Sequence, residues 1–290
     1  MSAPPHLPAL RAIPPGLHLV STPIGAARDI TLRALDILAG ATVLAAEDTR
    51  TLRHLMEIHG IPLGGRKIVA YHDHNAAAAL PRLMQALAAG GSVAYASEAG
   101  TPLVSDPGYE MVRAAVGAGH PVLAAPGASA VLCALAVSGL PSDRFFFAGF
   151  PPASRSSRLR SFEALRSIPA TLIFYESPKR INQMLEDLSQ SLGAGRYAAV
   201  CRELTKRFEE VSRGTLAELV AAFAERTVKG EIVVLVDRAS ETAVDEAQVD
   251  QALDQALTTM SLKDASAAVA AAFGVPRRDV YQMALKRGAQ

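Results

Sequence analysis

The fold class predicted for this chain is α/β: two α/β domains followed by a small helical segment at the C-terminal end. Three observations predict it. From Leu17 onward, short apolar runs alternate with stretches of helical periodicity, the βαβ rhythm of a parallel sheet with right-handed crossovers. After Pro126 the strand candidates crowd together, as in a mixed or partly antiparallel sheet. Residues 240–290 carry helical patterns alone. The expected organisation is a loose, proline-rich tail over 1–15, an N-terminal domain over 16–124, a second domain over 125–238 and a helical extension over 239–290.

The elements follow in order. Leu17 to Val20 is a short apolar run, and Ile30, Ala34, Leu35, Ile37 and Leu38 recur at helical spacing, with Asp29 placed to cap the start and Gly40 to end it. Thr42 to Ala46, Lys67 to Tyr71, Ser92 to Ala96 and Pro121 to Ala124 read as further strands, separated by helices near 50–59, 75–89 and 108–118. Beyond them, Phe145 to Phe147, Thr171 to Tyr175, Tyr197 to Cys201, Glu209 to Arg213 and Glu231 to Val236 are strand candidates, the last two split by a helix over Leu216 to Ala224. Pro178 suits the first turn of the helix after Tyr175. The final segment reads as helices over 245–258, 262–273 and 277–287, the last two joined by Phe273-Gly274-Val275-Pro276, either a helix-turn-helix or a cap on the core.

Composition excludes several classes. The net charge of +1 means that any nucleic-acid contact comes from local patches. Two distant cysteines, Cys133 and Cys201, form neither a zinc site nor a disulfide framework and read as buried thiols. No apolar run reaches the roughly 18 residues of a membrane-spanning helix, and the start lacks a signal pattern, so a cytoplasmic protein without a membrane partner is expected. Gly117-Ala118-Gly119 precedes a strand instead of following one, and no Walker-type motif occurs, so neither a dinucleotide site nor a P-loop is expected.

Chemistry concentrates at strand exits, where open α/β sheets bind ligands. Pro23 and Gly25, Glu98-Ala99-Gly100-Thr101-Pro102, Pro126 to Ala130, and Tyr175-Glu176-Ser177 are four such exits, together suggesting one shared cleft. Ser129 serves either as a helix N-cap or as a ligand contact. Glu47-Asp48-Thr49-Arg50 places two carboxylates beside an arginine; Asp48 is a catalytic candidate or a helix cap. His72-Asp73-His74-Asn75 lacks a third ligand, so no metal is expected. Asp106 can cap the helix that follows it. Arg202 to Glu209 mixes both charge signs. Arg155, Arg158, Arg160 and Arg166 lie among serines and form either a mobile phosphate-binding segment or a solvated helix face. Arg277, Arg278, Lys286 and Arg287 form a second basic group.

These motifs together resemble the tetrapyrrole methylase superfamily, and within it the branch that methylates ribosomal RNA. The carrying residues include Ser21-Thr22-Pro23-Ile24-Gly25, Ala45 to Arg50, Tyr71 to Asn75, Ala99 to Leu103, Ser105 to Tyr109, Gly139 to Phe145, Phe174 to Ser177, Arg202 to Lys206 and Lys229-Gly230-Glu231. The resemblance spans residues 17 to 238 and, more weakly, reaches 287. It implies two α/β domains with S-adenosylmethionine in the cleft between them, no Rossmann fold, and a homodimer. It further implies 2′-O-methylation of a cytidine in the decoding region of 16S rRNA, in the small ribosomal subunit. By position it implies cofactor contacts at Pro23, Gly25, Glu98, Gly100, Thr101, Pro102, Ser129, Ala130, Tyr175 and Glu176. Asp48, Glu176, Glu203 and Lys206 are the catalytic candidates; Arg155, Arg158, Arg160, Arg277 and Arg278 are the RNA-binding ones. Two departures show: Ala26-Ala27 follow Gly25 where the family continues Gly-Asn-Leu, and Ser97-Glu98 stands where it has Ser-Asp. Methylation of a small tetrapyrrole and a catalytically silent RNA-binding protein are the competing readings, and the basic segments and the loaded cleft respectively argue against them.

Overall fold

The computed structural model describes residues 12–105, 107–239, 246–273 and 277–288. Asp106, the turn at 274–276 and most of the N-terminal tail lie outside these residues. The first sheet holds β1 (Gly16–Val20), β2 (Val43–Ala46), β3 (Ile68–Ala70), β4 (Ser92–Ala96) and β5 (Val122–Ala125) in the order β3-β2-β4-β1-β5. Every pairing in it is parallel. Its strands are near-continuous apolar runs because helices α1 (Leu32–Gly40), α2 (Thr49–Ile58), α3 (Ala76–Ala88) and α4 (Tyr109–Gly117) connect them, and helices cover both faces of such sheets. One cluster packs Leu35, Leu38 and Met56 over Val20, Leu44 and Ala96; another packs Leu83 and Met111 over Leu17, Val93 and Tyr95. Fully burying each large apolar side chain contributes about 1.5–3 kcal/mol.

One helix start is corrected. The N-cap of α1 is Thr31, whose side chain accepts from the Ala34 amide at 3.2 Å, and the helix runs through Gly40 to a cap at Ala41. Asp29 instead donates its amide to the Ala26 carbonyl in the preceding turn, so its backbone is committed before the helix begins.

The second sheet is ordered β6-β7-β10-β8-β9, from β6 (Phe145–Phe147), β7 (Thr171–Glu176), β8 (Tyr197–Arg202), β9 (Glu210–Thr215) and β10 (Ile232–Val236). Only β6 and β7 pair in parallel; the other three pairings are antiparallel. One face carries α5 (Ala130–Ser138), through Val131, Ala134 and Leu135. The other carries α6 (Arg155–Leu165), α7 (Ile181–Leu192) and α8 (Leu216–Phe223), through Phe162, Met184, Leu188 and Leu219. Helix α7 begins at Ile181, three residues beyond Pro178, which sits in the turn before it.

The C-terminal segment is three helices, α9 (Glu246–Leu257), α10 (Leu262–Phe273) and α11 (Arg277–Gly288). They close on a cluster of their own that includes Val249, Leu253, Val269 and Val280.

Candidate active site

Register brings the strand exits of the first sheet to one edge. Val20 lies beside Ala96 and Ala125, and Ala96 beside Ala46, so Ser21, Ser97, Pro126 and Glu47 leave the sheet side by side. The chain jumps from β4 over β1 to β5 here, which makes this edge the topological switch point where such sheets bind ligands. The exits are pinned to one another. The Thr22 amide donates to the Gly100 carbonyl at 2.9 Å and the Gly100 amide returns to the Thr22 carbonyl at 3.0 Å. Thr101 donates its hydroxyl to the Ala128 carbonyl at 3.0 Å.

The second sheet meets this edge with two strand ends and one strand start. Ile232 pairs with Glu176 on one side and Arg202 on the other, so Ser177, Glu203 and Glu231 sit together. Between the two edges lies a cavity of about 370 Å³, within the range that holds a drug-sized ligand. Gly100, Thr101, Ser129 and Ala130 line one wall; Tyr175, Glu176, Cys201 and Glu231 line the other.

Six of the residues expected to hold a cofactor therefore line the cavity: Gly100, Thr101, Ser129, Ala130, Tyr175 and Glu176. Gly100 has φ +82°, and a Cβ there would sit 3.2 Å from the Ile24 side chain, so the backbone itself forms the wall. Ser129 stands at the N-cap of α5 but makes no capping bond, which leaves its hydroxyl for the cavity. Pro23, Gly25, Glu98 and Pro102 are not among the lining residues. Gly25 is pressed against the loop after β8: a Cβ there would lie 2.5 Å from Lys206 Cγ and 2.6 Å from Thr205 Oγ1. The Ala26 amide donates to Thr205 Oγ1 at 3.1 Å.

The catalytic candidates separate. Asp48 caps α2, accepting from the Arg50 and Thr51 amides, and pairs with the Arg50 guanidinium at 2.9 Å. The Arg50 side chain, then the two amides, hold its carboxyl down at about 2. Asp48 is thus a helix cap, and it does not line the cavity. Glu176 is buried, with Oε1 taking the Ser177 amide at 2.7 Å and Oε2 taking Arg180 at 2.7 Å. Lys206 Nζ donates to Glu203 Oε1 at 2.9 Å and to Glu231 Oε2 at 2.8 Å. The Lys206 hydrogen bond holds the Glu203 carboxyl below the usual carboxylate range against its burial. Burial works against the Lys206 ammonium, but bonds to Glu231 and Glu203 outweigh it and hold the group above the ordinary lysine value. Lys206 is therefore a cation at neutral pH, and a proton acceptor only after losing that charge.

Backbone strain marks the same place. Among the described residues, the non-glycine residues with positive φ are Leu103, Ser105, Glu203 and Thr205, all in the loops after β4 and β8. Each costs on the order of 1–3 kcal/mol and clusters of this kind favour functional sites. Gly230, at φ +95°, leaves room for Glu203, whose side-chain atoms would lie 2.5 Å from an added Cβ. Residues 230–231, Cys201 and Phe150 were not among the expected site residues; Lys229-Gly230-Glu231 ahead of an apolar run was the signal for the first. Burial pushes the Cys201 thiol up to about 12, so it is an apolar lining group. On the first edge, burial and then the Glu98 and Asp73 carboxylates raise Glu47, whose Oε2 is buried with no partner.

The arginine segment is corrected in part. It is helix α6, and Arg158 is 1% exposed, with Nη2 2.6 Å from Asp187 Oδ2. Arg155 binds the other oxygen of Asp187 at 2.9 Å. Arg158 is thus a buried structural cation and cannot reach RNA in this fold. Arg160, Arg277 and Arg278 are exposed.

The comparisons with known proteins agree with this architecture. The family model described as Tetrapyrrole (Corrin/Porphyrin) Methylases matches residues 16–220, and the one described as the RsmI C-terminal HTH domain matches residues 243–288. Ribosomal RNA small subunit methyltransferase I of Mesorhizobium japonicum is 48% identical, over 95% of this chain and 93% of that protein. The protein of the same name from Xylella fastidiosa is 45% identical, over 92% of this chain and 98% of its own. Among solved structures, the methyltransferase CobJ superposes with a TM-score of 0.60 at 19% identity, covering 78% of this chain and 95% of that one. Uroporphyrin-III-C-methyltransferase from Thermus thermophilus superposes with a TM-score of 0.54 at 22% identity, covering 77% of this chain and 94% of that one. By the family model over most of its length and by its identity to these relatives, the chain belongs to the tetrapyrrole methylases, in the family of ribosomal RNA small subunit methyltransferase I.

Proposed function

We propose that this chain is an S-adenosylmethionine-dependent methyltransferase that methylates a ribose 2′-hydroxyl of a cytidine in the decoding region of 16S rRNA. The observation that carries this reading is the cavity framed by Gly100, Thr101, Ser129 and Ala130 on one side and by Tyr175, Glu176 and Glu231 on the other, in a chain 48% identical to a protein named for small-subunit rRNA methylation. The donor fits the residues present. The backbone at Gly100 approaches without a side chain, the Ser129 hydroxyl is uncommitted, and the Tyr175 ring stands on edge against Phe150 at 5.4 Å. When bound, the donor supplies an activated sulfonium methyl, so the protein's task is alignment more than acid catalysis. Gly100, Thr101, Ser129 and Ala130 would seat it, and Tyr175 and Glu176 would close the far side. Glu176 supports that wall through Arg180, whose guanidinium also binds the Pro151 carbonyl at 2.8 Å. Lys206, a fixed cation, binds the Glu203 carboxylate and orients that of Glu231 at the cavity.

RNA would lie along Arg160, with Arg277 and Arg278 of the C-terminal helices as a second anchor. Phosphate contacts of this kind position the substrate without reading its sequence. We assign the protein to the cytoplasm, where its substrate is; among the described residues no helix is long and apolar enough to cross a membrane. We also propose a homodimer. Helix α5 is apolar on all sides, yet Leu132 is 54% exposed and Val137 37%. A helix apolar all round is normally covered. Leu123 on edge strand β5 and Phe145 and Phe146 on edge strand β6 are exposed apolar residues as well.

The test is transfer of labelled methyl to small ribosomal subunits and to a porphyrin precursor, followed by mass spectrometry of the digested RNA. One methyl on a ribose 2′-oxygen is expected. A methyl on a base, or on the porphyrin alone, overturns the reading.

A further inference from the structure

Within the methyl-transfer reading above, one step lacks an assigned group: the 2′-hydroxyl must lose its proton. Among the described residues, the side chains lining the cavity that carry an ionisable proton site are Tyr175, Glu176, Cys201 and Glu231. Three of them are unsuited. The Glu176 carboxylate is buried with both oxygens engaged, by the Ser177 amide and by Arg180. The Cys201 thiol is a fully buried lining group whose burial disfavours a thiolate. Tyr175 packs its ring edge-on against Phe147 at 4.9 Å, and a phenol carries its proton at neutral pH.

Glu231 differs from all three. Its side chain is 75% exposed, and Oε2 alone is occupied, by Lys206 Nζ at 2.8 Å. Its place is built with care. The Glu231 amide donates to Glu203 Oε1 at 3.0 Å and its carbonyl accepts from the Glu203 amide at 2.9 Å. Glu203 takes a left-handed φ of +52° to make this contact, and Gly230 makes room for it. Two carboxylates share one ammonium, so the group keeps a net negative charge and one open oxygen beside the cavity.

We propose that Glu231 accepts the proton of the ribose 2′-hydroxyl through its open Oε1, while Lys206 and Glu203 hold the carboxylate in place. The hydroxyl lone pair forms the oxygen–methyl bond, and the methyl–sulfur bond breaks with its pair left on sulfur. The O–H bonding pair stays on oxygen, and the proton passes to Glu231, which returns it to water after the product leaves. The sulfonium charge is discharged as the carboxylate is neutralised, so charge balances with no further reactant. The charged groups facing Glu231 are Glu203 and Lys206 from the loop after β8, and Arg202 at the end of β8, which binds the Lys229 carbonyl at 3.2 Å. From the β7 side they are Glu176 and Arg180, across the Ile232–Glu176 pair.

Single-turnover methyl transfer to small subunits across pH tests this with Glu231→Gln, Glu231→Asp and Glu231→Ala. Glu231→Gln should react about 10²–10⁴-fold more slowly and lose the acidic limb of the pH profile. Glu231→Asp should retain that limb, and formate should restore part of the rate to Glu231→Ala in proportion to its concentration. Affinities for S-adenosylhomocysteine, and for subunits in the absence of donor, should stay within about threefold, as these do not use the proton acceptor. A Glu231→Gln rate near wild type, or a slow variant with the acidic limb intact and no rescue by formate, overturns the assignment and leaves the function standing. A wild-type protein that places no methyl on ribose overturns both.

Discussion

The two walls of the cavity are made of different material. The wall from β1, β4 and β5 presents small residues and backbone, with Gly100, Thr101, Ser129 and Ala130 pinned by bonds between loops. The wall from β7, β8 and β10 brings two carboxylates to the cavity, Glu176 and Glu231, each held from behind by a cation, Arg180 and Lys206. Strand direction explains the difference. A parallel sheet aligns strand ends, so neighbouring exit loops can bond through their backbones. An antiparallel strand brings its start beside two ends, so three loops converge and their side chains meet. One wall supplies shape, and the other supplies charge.

The largest effect tests what lies behind the charged wall. Arg158→Ala leaves Asp187, which is 0% exposed, paired only with the half-exposed Arg155. Breaking a buried pair from one side costs about 3–5 kcal/mol, read as a lower midpoint in urea. Cofactor affinity in the folded fraction should be unchanged. Next comes the wall of shape. Gly100→Leu puts a side chain at φ +82° against Ile24 and into the cavity, and should weaken S-adenosylhomocysteine binding at least about 100-fold by calorimetry, with the fold intact by circular dichroism. Unchanged affinity would remove Gly100 from the donor site. Lys206→Ala should do the reverse, lowering turnover about 10²-fold while affinity for S-adenosylhomocysteine moves less than about threefold. If it loses donor affinity instead, the division between the walls fails.

Two smaller effects sharpen the picture. Reversing Arg160, Arg277 and Arg278 to Glu should weaken RNA binding and flatten the slope of log affinity against log salt by about 2–3, without changing donor affinity. Glu210 lies outside the cavity and is held down at about 2, first by Arg226 and then, against burial, by Arg202. A carboxyl depressed in the fold contributes stability above its unfolded value, and loses it as pH falls through the folded one. The contribution should thus be complete above about pH 5 and fade toward pH 2. Glu210→Gln should cost about 1 kcal/mol at neutral pH, as the pair is partly screened, and the cost should vanish near pH 2.

Much of the shape wall was legible in the sequence. Small residues and prolines after apolar runs mark the strand exits that hold Gly100, Thr101, Ser129 and Ala130, and the family resemblance implies their contact with a cofactor. The charged wall was less so, because its members meet across the sheet. Glu231 belongs to a strand start, and the rule that ligands sit at strand ends passes over it. Arg158 looked like a surface cation because its partner Asp187 is 29 residues away on another helix. Asp48 read equally well as a base or a cap until its two amide bonds fixed it as a cap. The Asp29 start failed for a local reason, since Thr31 offers a capping oxygen closer to the first turn.

Gly25 carries a consequence for descent. It touches no part of the cavity, yet any side chain there would displace the loop holding Lys206, and with it the ammonium shared by Glu203 and Glu231. Positions 25 and 206 therefore cannot drift independently. A side chain at position 25 is tolerated only if Thr205 and Lys206 move aside, so the spacing of the two halves of the molecule and the seat of the ammonium are set by one contact.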